Sequence, residues 1–328
     1  MAGVFWSLIM AALFGFSQLA SRKGLTGIAV DQGTFIMIVV STGLMAIPFF
    51  WLGGPALVRQ ASLIGLAYFV LAGLIHFVGG FTLMNTSISR IGAARTGSLI
   101  ATTPLFATFL AALTLKELVT VPLIIGVVVV IVGVRVIGSG RPTQTKAAQS
   151  TQKTAAETQM AAPEETRLGI VAGGSSGMFG LSGESFFGLL AALSWGFSPV
   201  LIKKGLESLP SPIIGLTLAM ASAGVMHAII LGMRGRLRPV LSSLGQSAAL
   251  WQTGAGALVG LGTLCRWIAL SFTTAAMVTT LSRASLLITV GLGGVLLGRE
   301  LEPVNSRIRW GATLIVMGSI IVVLFGRP

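Results

Sequence analysis

Long apolar stretches separated by short polar connections make up most of the sequence. Each stretch has about twenty residues, which is long enough to cross a hydrocarbon core of about 30 Å as a helix. The pattern predicts membrane-spanning helices over residues 3–21, 33–53, 63–84, 93–115, 118–138, 185–203, 212–233, 249–270, 275–297 and 307–326. The fold class that we predict is therefore an all-α membrane protein with ten transmembrane helices.

One connection differs from the others in length and composition. Residues 139–183 begin with SGRPTQTK and are rich in Thr, Gln, Ala, Gly and Ser. Such a segment buries too little apolar surface to order itself, so we expect a flexible linker. The sequence then divides into a first five-helix unit over 1–138, the linker over 139–183 and a second five-helix unit over 184–328.

The two units share a short repeated pattern. Residues 21–25 (SRKGL) return as residues 202–206 (IKKGL), and the aromatic-glycine pair at 14–15 returns at 195–196, each 181 positions later. Because each unit has an odd number of spans, duplication places the second unit upside down in the bilayer. We therefore expect two inverted five-helix repeats around a midplane cavity, as in alternating-access carriers.

Composition supports the membrane assignment and narrows the possible partners. With 54% hydrophobic residues, 9% charged residues and a mean hydropathy of +0.91, the chain has too few polar groups to cover a soluble globule. The net charge of +13 comes from basic residues at the ends of apolar runs. These residues fit lipid headgroups rather than nucleic acid.

Cys265 is the only cysteine, so no intrachain disulfide forms. We expect the first apolar run to be retained as a helix rather than cleaved as a signal peptide.

Small residues recur at matching places in the two units. The fifth and tenth spans carry glycines seven positions apart, Gly126 with Gly133 and Gly311 with Gly318. The fourth and ninth spans are built of small residues, and each ends in a glutamate. We interpret the glycines as helix-packing positions, because small residues let neighbouring backbones approach.

In this order, the features resemble the EamA-type repeat of the drug/metabolite transporter (DMT) superfamily. The residues that carry the resemblance are the aromatic-glycine and basic-glycine signature, Thr103-Pro104 with terminal Glu117, and the paired glycines. The resemblance implies a ten-helix carrier, commonly an exporter of amino acids or related compounds. The second unit departs from the pattern. When the two units are aligned so that Glu300 matches Glu117, Leu287 stands where the first unit has Pro104.

The orientation in the membrane has two alternatives. Most lysines and arginines fall on the side of the linker, which favours a cytoplasmic linker with both termini outside. The resemblance implies cytoplasmic termini instead. Either way, the chain is expected to be a multi-pass protein of the cell inner or plasma membrane.

Two arginines lie well inside apolar sequence, Arg266 in the eighth span and Arg283 in the ninth. An arginine costs about 2.5–3.5 kcal/mol at the centre of a membrane helix, so it normally faces a cavity or a partner. A guanidinium matches carboxylate or phosphate, and Arg283 has Ser282 and Ser285 beside it. We therefore expect an anionic or zwitterionic substrate. The alternative is a structural role, with the arginines reaching an interface or holding the hairpin together.

His76 in the third span is the candidate for proton coupling, because imidazole titrates near neutral pH. Neutral polar groups and aromatic walls complete the predicted substrate-binding set, although each of these residues also fits interhelical packing. They are Asn85, Thr102, Thr103, Gln18, Ser17, Trp195 and Trp267.

Several signatures are absent from the sequence. No glutamate stands in the centre of a span, which disfavours the export of lipophilic cations as carried out by small multidrug antiporters. No phosphate-binding loop, metal-ligand spacing or cofactor motif is present, so we expect neither an enzyme nor a cofactor. The sequence predicts a secondary transporter of small amphipathic metabolites, with export as the expected direction and protons as a candidate coupling ion. Two alternatives stay open: uptake or exchange of an organic anion, and a membrane scaffold or sensor.

Overall fold

The computed structural model describes residues 1–25, 27–91, 99–100, 102–138, 185–243, 245–285, 287–288, 292 and 306–325. Within these ranges the chain forms helices joined by turns, and none of the described residues is in a strand. The all-α prediction is thus confirmed. The predicted linker, Glu300 and the side chain of Asn85 lie outside the described residues.

The helices of the first unit follow one another along the chain. They are α1 (Ala2–Gly24), α2 (Val30–Trp51), the short α3 (Gly54–Gln60), α4 (Leu63–Gly73), a π-helix (Leu74–Gly79), α5 (Gly80–Ile91), α6 (Thr103–Leu115) and α7 (Val121–Gly138). The π-helix joins α4 to α5, so this part of the chain forms a single predicted span.

The second unit repeats this order. Its helices are α8 (Ser185–Ser208), α9 (Pro212–Met233), the short α10 (Leu237–Ser243), α11 (Ser247–Phe272), α12 (Ala275–Leu281) with a 3-10 turn (Ser282–Ala284), and α13 (Ser306–Phe325).

Within the described ranges, six helical segments are long and apolar enough to cross a membrane. They occupy Ala2–Ser21, Val30–Trp51, Leu63–Met84, Phe186–Ser208, Pro212–Met233 and Ser247–Phe272. Shorter apolar helices occur at Thr103–Leu115, Val121–Val136 and Thr313–Phe325, within the predicted fourth, fifth and tenth spans. The predicted ninth span is described continuously only through residue 285.

Contacts between the two units come in exchanged pairs. Helix α1 packs against α11, and its counterpart α8 packs against α4 and α5. In the same way, α2 contacts α11 while α9 contacts α4, and α12 contacts α1 while α6 contacts α8. Helices α2 and α9 contact each other, as do α7 and α13. Exchanging each helix for its counterpart in the other unit therefore reproduces these pairs of neighbours.

Small residues allow close helix crossings. A Cβ added at Gly318 would lie 2.7 Å from the Gly126 carbonyl oxygen, and one at Gly126 would lie 2.8 Å from the Gly318 carbonyl oxygen. Between α2 and α11, the Ser41 hydroxyl donates a 2.6 Å hydrogen bond to the Gly256 carbonyl. Helices in lipid associate through such close packing, because the lipid is itself apolar.

The largest cluster of buried apolar side chains lies where α4, α8, α9 and α11 meet. Phe69 and Trp267 are at most 2% exposed there, and their ring centroids are 5.5 Å apart. The outward faces of the bundle are apolar as well, as expected for helices surrounded by lipid. This cluster places the C-terminal part of α11 against the third and sixth spans, where the polar groups of interest lie.

Candidate functional site

Two helical segments depart from regular α geometry near the candidate site, and a third helix contains a proline. The third span contains the π-helix Leu74–Gly79, α8 contains Pro199, and α12 passes into the 3-10 turn Ser282–Ala284. Mid-helix π and 3-10 segments are common at functional sites, and proline interrupts the helical hydrogen bonds. In membrane transporters, interrupted helices commonly surround the substrate.

His76 lies in the π-helix and connects it to α8. Its Nδ1 shares a 2.8 Å hydrogen bond with the Ser198 hydroxyl, which is next to Pro199. The indole Nε1–H of Trp195 donates a 2.9 Å hydrogen bond to the His76 carbonyl. A Cβ at Gly80 would collide with Trp195, so this close approach requires glycine. These contacts fix the imidazole at the interface between the two units.

A small, partly enclosed cavity lies beside His76. Its volume is about 10 Å³, which is room for about one water molecule. The lining residues are Ala72, His76, Phe77, Ile202, Thr263, Arg266 and Trp267. We call this space the central cavity. It is mostly apolar, with a histidine, a threonine and an arginine as its polar groups.

Arg266 and Arg283 bring two positive charges to this region. Arg266 is 8% exposed, Arg283 is half-buried, and the Nε of each is buried without a hydrogen-bond partner. The two charges act on each other electrostatically, and the charge of Arg266 also acts on His76. From the ends of their helices, Arg266 lies about 9 Å and Arg283 about 12 Å deep. Both therefore lie within their helical segments rather than at the helix ends.

No carboxylate in the described part of the chain neutralises these arginines. Each acidic residue there is paired with another base. The pairs are Glu117 with Lys203 at 2.6 Å, Glu207 with Lys204 at 3.3 Å and Asp31 with Arg236 at 2.8 Å. Buried charges are normally paired. The two arginines are therefore suited to bind an anion that is not one of the described side chains, such as a ligand.

A larger open space lies beyond the central cavity, toward the loop that joins α11 to α12. Its volume is about 440 Å³, which is within the range of small-molecule pockets. Leu270 and Met277 line its inner end, together with Glu117 and Lys203. We call this space the vestibule. Leu270 follows Arg266 by four residues, so about one helical turn separates the vestibule from the arginine.

Glu117 joins three helices at the vestibule. Its carboxylate accepts a 2.6 Å hydrogen bond from Lys203 of α8 and bonds of 3.1 and 3.2 Å from the Ala275 N–H at the start of α12. Lys116 precedes it in a left-handed conformation, with φ 54°, which ends α6. The carboxylate is thus held near-buried at the meeting point of α6, α8 and α12.

The other predicted site residues have different surroundings. Thr102, Thr103 and Ser282 each donate a hydrogen bond of 2.6 Å to a carbonyl three residues earlier, and Ser17 does the same over 2.9 Å. Gln18 is exposed and Ser285 is buried. The structure therefore brings Arg266, His76 and Trp267 together at the central cavity, with Trp195 and Arg283 beside them. The roles of the remaining residues stay predictions.

Sequence reasoning missed three contributors to this region. Thr263 lines the central cavity, and Ser198 is the hydrogen-bond partner of His76. Ser198 lies 181 positions after Ser17, so the repeat offset already marked it. The pairing of Glu117 with Lys203 had no such signal, because it joins residues of different units.

Comparison with known families identifies the class of protein. The model of the EamA-like transporter family matches residues 1–139 and 183–324, which is most of the chain. The chain therefore belongs to the EamA-like transporter family of the DMT superfamily, and the predicted resemblance is confirmed. It is a multi-pass membrane protein of the cell's inner or plasma membrane, from a family of transporters rather than enzymes.

A solved structure supports the fold over the full length. A crystal structure of a protein with no stated function is similar to this chain with a TM-score of 0.72, at 14% sequence identity, over 99% of this chain and 97% of that chain. At this identity the likeness establishes the fold alone. No curated protein sequence matches the chain.

Proposed function

We propose that the chain is a secondary transporter that exports small amphipathic metabolites, with amino acids or related compounds as cargo. The observation that carries this proposal is Arg266, which is buried with an unpartnered Nε at a partly enclosed cavity. The open vestibule begins about one helical turn away from it. A small cavity that contains a buried cation and lies next to an open space is the arrangement expected of a carrier with its site closed.

The architecture of the proposal is ten helices in two inverted five-helix repeats. The first repeat covers 1–138, the second covers 184–328, and the linker over 139–183 joins them. Two observations support the duplication: the separate family matches in the two units and the exchanged helix contacts between them. In this proposal the bundles rock around the central cavity, which has room for about one water when closed.

Substrate contacts in the proposal come from Arg266, Arg283, His76, Trp195 and Trp267. The guanidiniums pair with negative charge on the substrate, and the aromatic rings pack against its apolar part. Opening of the cavity exposes further polar groups to the substrate. These are Asn85, Thr102, Thr103, Gln18, Ser17, Ser282 and Ser285. His76 is the group proposed to carry a proton, because it lies at the cavity and no other histidine lines it among the described residues.

Counterflow in proteoliposomes tests this function. Purified protein is reconstituted with a panel of amino acids inside, and flux is measured with and without an imposed proton gradient. We expect saturable flux of at least one compound. This flux should be faster when the proton gradient is imposed in one of its two directions. Arg283→Ala should abolish the flux, whereas Arg59→Gln, a change of an exposed arginine, should preserve it.

Two other functions remain as outcomes of this experiment. The excess of buried positive charge favours uptake or exchange of an organic anion, which would give flux with anions outside the vesicle and none with amino acids inside. Absence of flux across the whole panel, with no change in the metabolites of cells that lack the protein, would favour a scaffold or sensor.

A further inference from the structure

We infer that the central cavity recognises its ligand through a carboxylate, held by Arg266 and favoured by the nearby charge of Arg283, and that an ammonium group on the ligand is dispensable. This inference rests on the proposed function and names the chemical class of its substrate. It predicts that organic acids bind as well as the corresponding amino acids.

The first step concerns the unmet bonding capacity of Arg266. The residue is 8% exposed, it lines the central cavity, and its Nε is buried without a partner. Leaving a buried charged donor without an acceptor is costly. A guanidinium has a planar fork of donors that fits the two oxygens of a carboxylate. An acceptor anion in the cavity would satisfy this group.

The second step concerns the balance of charge. Arg283 acts electrostatically on Arg266, and its own Nε is buried and unpartnered. The acidic residues in the described ranges are all committed to other bases. An anion that pairs with Arg266 therefore also offsets the positive field that Arg283 adds at that position.

The third step concerns the ammonium group. No carboxylate lines the central cavity among the described residues, so an ammonium would gain no ion pair there while approaching two positive charges. Apolar walls from Phe77, Ile202 and Trp267 match the hydrocarbon part of a ligand instead. The described surroundings thus favour a carboxylate with an apolar body over an amine with the same body.

A matched series of ligands tests the inference on the full-length protein. L-Leucine, 4-methylpentanoate and isoamylamine share one apolar body, but the second lacks the ammonium and the third lacks the carboxylate. Binding is measured by calorimetry and by thermal stabilisation of the purified protein at fixed ionic strength. We expect the two carboxylates to bind with similar affinity and isoamylamine to show none.

Substitutions of the arginine locate the site. Arg266→Gln should weaken carboxylate binding about tenfold or more, because it removes a charge-assisted bond. Arg266→Lys should fall between it and the wild type, since lysine keeps the charge but lacks the fork. Arg59→Gln is the control and should leave binding unchanged. If Arg266→Gln does not fold, Arg266→Lys and the ligand series on the wild-type protein carry the test.

The outcomes separate this inference from the proposed function. Stronger binding of isoamylamine than of 4-methylpentanoate would overturn the inference, as would unchanged carboxylate binding in a folded Arg266→Gln protein. Failure of every carboxylate in a panel with apolar bodies of two to ten carbons would overturn it too. If a carboxylate binds but shows no counterflow, the binding site is supported and the proposed transport function is overturned. Transport that requires the ammonium group of the substrate and tolerates a blocked carboxylate would support the proposed transport function and overturn the carboxylate site.

Discussion

The ion pair at the vestibule provides the sharpest test of the structure. Glu117 and Lys203 are 2.6 Å apart with side chains 10% and 22% exposed, and the same carboxylate accepts hydrogen bonds from the Ala275 N–H. On the same helix as Lys203, Lys204 and Glu207 form a second pair at 3.3 Å that is much more exposed, at 35% and 62%. The two pairs have the same chemistry in different environments.

The different exposure determines the expected cost of removing each carboxylate. Glu117→Gln should lower the free energy of unfolding by about 2–4 kcal/mol, since it leaves the largely buried Lys203 without its counter-charge. Glu207→Gln should change it by less than about 1 kcal/mol, because water and mobile ions screen an exposed pair. Glu117 also joins α6, α8 and α12, so its loss releases contacts between three helices.

Thermal and denaturant unfolding of the purified protein in one detergent measures both changes. A double-mutant cycle with Lys203→Met isolates the interaction of Glu117 with Lys203, which we expect to be about 1–3 kcal/mol. Equal effects of Glu117→Gln and Glu207→Gln, or a coupling near zero, would refute the reasoning from burial. Full stability of Glu117→Gln would mean that these three helices are held together by other contacts.

Two further substitutions test the packing of the bundle. Gly318→Ala should destabilise the protein by about 1–3 kcal/mol through overpacking, whereas Gly254→Ala, where an added Cβ meets nothing within 4 Å, should cost nothing. Thermal unfolding compares the two, and a stable Gly318→Ala protein would contradict the close crossing of α7 and α13. Trp195→Phe deletes the donor to the His76 carbonyl while keeping an aromatic ring. It should cost about 1 kcal/mol, and the same change at the exposed Trp310 should have little effect; equal melting temperatures for both variants would argue against that hydrogen bond.

The membrane fold could be predicted from local sequence, because its main constraint is local. A helix in lipid satisfies its own backbone hydrogen bonds, so length and hydrophobicity alone indicate where the spans lie. The spacing of Gly126 and Gly133 likewise indicated a packing face, since residues seven apart share one side of a helix. Family membership followed from the order of such motifs along the chain, and the matched family model confirms it.

The candidate site could be predicted only in part. Arg266 and His76 stood out because charged and titratable side chains are rare in membrane helices. Their meeting at one cavity was not visible in the sequence, because they belong to α11 and the third span and nothing local connects them. The same applies to Ser198, whose hydroxyl completes the surroundings of the imidazole.

Sequence alone determined that the chain crosses a bilayer repeatedly, that its two halves share a repeated pattern and that two arginines stand within apolar sequence. The tertiary structure decided that none of the described carboxylates pairs with those arginines. It places Glu117 with Lys203 and Ala275, so that this carboxylate is already committed to other donors. The physical reason is that hydrophobicity acts along the chain and can be counted from it, whereas the pairing of charges depends on distances between helices far apart in sequence.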